Sequence, residues 1–211
     1  MPPRSGNIAR VTVGLLNRVM DPIIGMTSAP QGPGSNKYAL QLGVEIELGT
    51  AEALMMSDPV IGTLFGGTYR YVRFRSADLA ATFKRGMLVF QDSAAEHQVT
   101  STEALATAYG VAGVVVNPTA GQYAVLPGSY GWIFVGGGKC AMQYKAALTA
   151  VAAVGNQIVW SAAGAGADNG TVDTALIATA TATGKYIGQA EALPVAGAIG
   201  NVWMPFVRRR I

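Results

Sequence analysis

From Tyr38 onward the sequence switches repeatedly between short runs rich in β-branched and aromatic residues and breaks made of Gly, Pro, Asn and Asp. Short strands bounded in this way pair into sandwiches or barrels, because parallel βαβ units need helix-length crossovers between strands. Residues 68–75 (TYRYVRFR) form the strongest strand by composition. Alternation sets Tyr69, Tyr71, Arg73 and Arg75 on one of its faces and Arg70, Val72 and Phe74 on the other. Over 38–48, Leu40, Leu42, Val44, Ile46 and Leu48 share a face opposite Glu45 and Glu47, the pattern of a half-buried strand. Further strands are expected at 87–91, 111–116, 122–126, 130–135, 139–144, 157–160, 174–183, 185–192 and 201–207. Asn117-Pro118, Pro127-Gly128, Gly136 to Gly138 and the Asp168-Asn169-Gly170 triplet supply the turns. Pro205 offers no ladder N–H, so the last strand is expected at a sheet edge or a bulge. Helix is confined to a turn at 51–56 and one or two turns within 76–86. The expected fold is mainly β: a compact antiparallel β-sandwich or barrel-like domain over 38–211, with at most short helices.

Residues 1–37 read differently. Pro2, Pro3, Pro22, Pro30 and Pro33, with Gly25, Gly32 and Gly34, break any long element, and 30–36 has the composition of a linker. The segment is expected to be an extended N-terminal arm. Its apolar residues, among them Leu15, Leu16, Ile23 and Ile24, need a surface to cover them, and a neighbouring subunit is a reasonable host.

Charge narrows the function. Only 13% of the 211 residues are charged, against about 25% in ordinary soluble proteins. Half are hydrophobic, so a lone molecule would have little charged surface to resist association. Partners that cover the surface resolve this. The net charge of +3 is too small for the dense basic stripe of a nucleic-acid binder, and no specific nucleic acid is expected. Basic residues gather at the ends, with Arg4, Arg10 and Arg18 at one and Arg208, Arg209 and Arg210 at the other. Such ends can dock on acidic protein surfaces or nucleic acid, but solvated tails are the commoner case. Residues 146–167 carry no charge, but their apolar content is mostly Ala and Gly interrupts them, so no membrane span is expected. The alanines concentrated between Lys145 and Ala198 suit closely apposed sheets or loops pressed against another protein. No signal peptide is read at the N terminus, and a single cysteine, Cys140, allows no intrachain disulfide; both fit the cytoplasm.

A search for chemistry returns little. The lone histidine, His97, lies in a polar stretch and reads as a surface residue; no nucleophile elbow surrounds a serine or Cys140. One Cys and one His do not make a zinc site. The GGGK at 136–139 lacks the first glycine and the Ser/Thr of a phosphate loop and lies between strands, so it reads as a glycine turn. GAGADNG at 164–170 fails the dinucleotide fingerprint, and 168–173 lacks the spacing of a calcium loop. Glu45 and Glu47 share a face as paired carboxylates can in a glycosidase, although a strand face near solvent is the commoner cause. No catalytic residue, cofactor or metal is expected, and the chain is read as not an enzyme. Aromatic and arginine side chains on strands are the interface candidates: Tyr69, Tyr71, Arg73, Trp132, Phe134 and Trp203, with the Tyr/Arg alternation over 69–75 fitting an interface face better than a core face. Arg4, Arg10, Leu15, Leu16, Arg208 and Arg209 join them from the two ends.

Three stretches, 67–92, 114–140 and 184–207, resemble the head decoration (capsid cement) proteins of tailed bacteriophages. The shared features are the Tyr-Arg-Tyr-Val strand at 69–72, the Pro-Gly-Ser-Tyr-Gly-Trp turn and strand at 127–132, and the Ile-Gly-Gln-Ala strand at 187–190, followed by an Ala/Gly loop and a last strand. The resemblance spans about Gly67 to Val207 and leaves the arm unexplained. It implies a homotrimer on the outside of a virion, assembled in the host cytoplasm, that bridges major capsid protein subunits and stabilises the shell. It carries no catalytic residues. Another virion component (tail, baseplate or minor capsid protein) and a carbohydrate-binding module are the alternatives.

Overall fold

The computed structural model describes residues 42–56, 65–78, 83–102, 110–116, 127–160, 170–175 and 186–205. The expected arm, the strand at 122–126, residues 79–82 of the 76–86 segment and most of the 174–183 segment lie outside the described residues. The rest is mainly β, in two sheets.

The first sheet holds β1 (Glu45–Leu48), β2 (Gly67–Phe74), β3 (Leu88–Gln91), β4 (Gln98–Thr100), β5 (Val111–Val115) and β6 (Tyr130–Gly136). The long strand β2 organises it. One edge of β2 pairs with β6, from Thr68↔Gly136 to Arg73↔Tyr130. The other edge is shared: β1 takes the first half (Glu45↔Arg70 to Leu48↔Gly67) and β4 the end (Arg73↔Gln98, Phe74↔Val99). Because β4, β3, β5 and β6 pair in turn, the ring closes on β2 as a barrel. The β2–β4 pairing is parallel, so the expectation of a purely antiparallel sheet is corrected at this one joint. A seven-residue helix, α1 (Thr50–Met56), follows β1 and buries Ala53.

The second sheet is antiparallel, in the order β7 (Gly138–Gln143), β11 (Ile199–Met204), β10 (Tyr186–Ala190), β8 (Gln157–Trp160) and β9 (Val172–Ala175). Its outer strands meet at one parallel bridge, Tyr144↔Val172. The join between β6 and β7 is the glycine turn expected at 136–138, where Gly137 takes φ +82°, a conformation that a side chain would disfavour. Strand β11 lies inside the sheet, not at its edge. Pro205 does no harm there because the ladder ends at Met204.

Packing explains the burial pattern of β2, whose residues Tyr69 to Val72 are all buried. One face turns into the barrel, where Val72 and Phe74 pack with Phe83, Val89, Val99, Val115, Ile133 and Val135. The opposite face meets the second sheet, where Tyr69 and Tyr71 join Trp132 and Phe134 with Met142, Tyr144, Ile158, Val202 and Met204. Ring pairs lock this layer: Tyr71 and Trp132 lie 5.3 Å apart, and Tyr69 meets Phe134 edge-on at 5.3 Å. Arg70 enters the buried side only because Glu45, its cross-strand neighbour, accepts from its Nε at 2.7 Å. β1 shows the expected alternation, with Ile46 and Leu48 buried and Glu47 exposed.

Candidate interface

The interface residues expected from sequence separate sharply. Tyr69, Tyr71, Trp132 and Phe134 are buried inside the chain's own core, which corrects the reading of the Tyr/Arg alternation as an interface face. That reading assumed a sheet with one wet side; β2 is covered on both. Arg73 is half-buried, with its guanidinium 6.0 Å from the centre of the Tyr130 ring. Trp203 alone of the strand aromatics proposed is open, 45% exposed. Arg4, Arg10, Leu15, Leu16, Arg208 and Arg209 lie outside the described residues.

Beyond Trp203, the exposed apolar residues of the second sheet's connections lie in loops that the strand pattern did not single out. In the sheet ladder Trp203 stands opposite Gln189 on one side and Lys139 on the other. The Gln189 amide donates from Nε2 to the carbonyl of Gly155 at 3.0 Å, tying the β10 strand to the loop 145–156. That loop holds Val151, 90% exposed, and Val154, also exposed. The loop 191–198 leaves the same end of the sheet and exposes Leu193 and Val195 on either side of a buried Pro194. The two loops are joined by a hydrogen bond from Gly197 N to Lys145 O at 2.8 Å. Ile199 and Tyr186 add further exposed apolar surface on β11 and β10.

The apolar loop is held by polar groups beneath it. Asp173 on β9 accepts from the Thr149 amide at 2.8 Å, the Thr149 hydroxyl at 2.6 Å and Lys145 Nζ at 2.6 Å. Thr174 accepts from the Ala150 amide at 3.3 Å and donates to the Ala150 carbonyl at 2.9 Å. Farther along, Asn156 donates to Val151 O at 2.8 Å, and Gly155 N donates to Ala190 O at 2.9 Å. Burial raises the Asp173 pKa, but the hydrogen bonds from Lys145 and Thr149 outweigh it and hold the carboxyl below its ordinary value. The charges near this end are paired within the chain, Lys145 with Asp173 and Lys139 with Glu191 at 2.6 Å.

The residues weighed for chemistry have structural partners. Glu45 is engaged by Arg70. His97 takes φ +56° in the turn between β3 and β4 and lies over Gly43, whose missing side chain leaves room for the ring. Asp92 in the same hairpin accepts from Ala94 N at 2.9 Å and Gln98 Nε2 at 2.6 Å, and Asp78 accepts from Thr100 and Ser101, so both carboxylates brace the barrel end. Cys140 is buried, and desolvation pushes its thiol pKa far up. It borders a cavity of about 30 Å³, room for a water or two, with Tyr69, Arg85, Phe134 and Lys139. Among the described residues, no group of three or more His, Cys, Asp or Glu could hold a metal ion, and no helix is long and apolar enough to cross a membrane. Comparison with protein-family models and with curated proteins finds no match.

Sequence reasoning missed Val151, Val154, Leu193 and Val195. Periodicity cannot find them because they lie in loops. The available signal was the Ala-rich composition of 145–198, read above as suiting loops pressed against another protein.

Proposed function

We propose that this chain is a structural virion protein of the capsid-decoration type, which binds the outside of a phage head and bridges major capsid protein subunits. The observation that carries the reading is the apolar end of the second sheet. Four aliphatic side chains and a tryptophan stand in water on a framework fixed by hydrogen bonds. Ordering a loop and exposing its apolar residues both oppose folding of an isolated molecule, and contact with a neighbour repays both. The sparse charge of the whole chain and its resemblance to cement proteins point the same way. The mechanism is contact, without catalysis, cofactor, membrane or specific nucleic acid. Each copy adds bonds that must break before the shell opens, and many copies, self-associated as the trimer the resemblance implies, multiply a modest affinity.

The test is fractionation of particles from the source of this sequence. The chain should sediment with intact heads in many copies, and heads stripped of it by mild denaturant should rupture at lower temperature. Recovery only with tails would support a tail or baseplate role instead, and absence from particles would sink the reading. One observation favours a carbohydrate-binding alternative: the exposed Trp203 is flanked by Gln189 and Asn201, an aromatic platform among neutral hydrogen-bonding groups. Retention on immobilised polysaccharide, lost in Trp203→Ala, would establish it.

A further inference from the structure

We infer that Arg73, backed by the Tyr130 ring, is a docking point for a carboxylate, supplied by an Asp or Glu side chain of the shell protein. The choice of source rests on the decoration role above, since bridging subunits needs a contact beyond the apolar loops. Three arginines lie within 70–75. Arg70 is paired with Glu45, and Arg75 with Asp78 and Asp92. Arg73 lies between them, yet among the described residues no carboxylate meets it. Its Nε is buried and has no hydrogen-bond partner. A partly buried cation with an unmet donor opposes folding, so a partner from outside gains what the chain itself leaves unused. The strand sets where that partner can reach. Arg73 continues the row of Tyr69 and Tyr71 on the β2 face that meets the second sheet. Those two are buried whereas Arg73 is half-buried, so the row comes out from under its cover here. Tyr130, the cross-strand neighbour on β6, has its ring centre 6.0 Å from the guanidinium and is itself stacked on Tyr71 at 6.5 Å. A guanidinium held against a ring keeps its N–H edge for a planar acceptor. The acceptor that matches is a carboxylate, which takes two parallel N–H bonds from the fork. A small turn of the head on the ring brings Nε into that fork, so binding satisfies the donor that folding does not. Tyrosine and arginine are also the residues that carry contact energy most often.

The experiment uses the full chain, phage heads stripped of it, and the variants Arg73→Gln and Arg73→Lys. The first removes the charge; the second keeps the charge and removes the fork. Circular dichroism and thermal melting check the fold, and both variants should melt close to the wild type because Arg73 has no ion pair to lose among the described residues. Rebinding to heads should weaken about 10- to 100-fold in Arg73→Gln, and Arg73→Lys should recover less than half of that loss. The chemistry of the site is read without heads, from the NMR signal of the Arg73 Nε–H as sodium acetate replaces sodium chloride at constant ionic strength. Acetate should shift this signal more than those of the paired Arg70 and Arg75. Variants that bind heads as tightly as the wild type, or an Arg73 signal that responds no more than the other two, would overturn the inference. Loss of self-association in Arg73→Gln with head binding intact would also overturn it, by giving the site to a second copy. Heads that never bind the wild type would refute the decoration role and the shell as source, while a selective acetate shift would still support the carboxylate site.

Discussion

Removing the Glu45 carboxylate tests how the barrel tolerates a cation in its wall. Arg70 has a side chain 5% exposed, and its Nε and Nη2 both reach one oxygen of Glu45, which is 35% exposed. An exposed ion pair contributes about 0–1 kcal/mol, whereas stranding a buried charge costs about 3–5 kcal/mol. The pair lies between these limits. Water can reach the position of Glu45 but not most of the guanidinium, so we expect Glu45→Ala to destabilise by about 2–3 kcal/mol. In a chain of this size that is a fall in Tm of about 4–12 °C. Urea unfolding followed by tryptophan fluorescence provides the measurement, run also in 1 M salt, where a solvent-exposed pair would be screened and this one should persist. The single change Arg70→Met and the double variant complete a cycle. The double variant should recover more than half of the loss, because no unpaired charge remains. A loss below about 0.5 kcal/mol, or a coupling near zero, would show that the pair behaves as a surface contact and would refute the reasoning.

Other outcomes follow from named contacts. The Asp173 pKa lies below its unfolded value, so its stabilising effect is present above the ordinary carboxylate pKa of about 3.9 and fades as pH falls through the folded value; the Thr149 amide, which donates to Asp173, should lose protection relative to its intrinsic exchange rate below about pH 4, and Asp173→Asn should lose it at neutral pH. Cys140→Ala should fold with a loss of about 1 kcal/mol, and the native thiol should resist a disulfide reagent until urea exposes it, since burial keeps it protonated. Gly188→Ala would put a Cβ 2.3 Å from the Trp203 carbonyl on the paired strand, so it should destabilise by about 2 kcal/mol or more and loosen β11, seen as lost protection of the β10–β11 amides.

How much of this was legible beforehand depends on what each feature needs. Strands β6, β7, β8 and β10 lie where β-branched and aromatic residues between glycine or proline breaks placed them, because local propensity and turn chemistry act over a few residues. The two-residue rhythm of β1 also identified its buried side. Strand β4 escaped notice, since Gln98, Val99 and Thr100 owe their pairing to the edge of β2 and not to their own composition. Ring closure depends on β2 pairing with β6 across about sixty residues of chain, which no local pattern records. The same closure misled the interface reading: in a strand covered on both faces alternation no longer separates inside from outside, and Arg70 counts as polar until Glu45 is seen beside it. Trp203 survived as a candidate because β11 alternates in the ordinary way, with Val202 and Met204 inward.

The joined strand ends have a consequence for solubility at high concentration. A molecule that carries bare aliphatic side chains is at risk of stacking strand to strand into fibres, yet among the described residues the ring of β2, β4, β3, β5 and β6 closes on itself, and the outer strands of the other sheet touch at Tyr144 and Val172. Backbone-templated growth therefore has few open ladders to start from, chiefly the free edge of the short strand β1, while side-chain contact stays available.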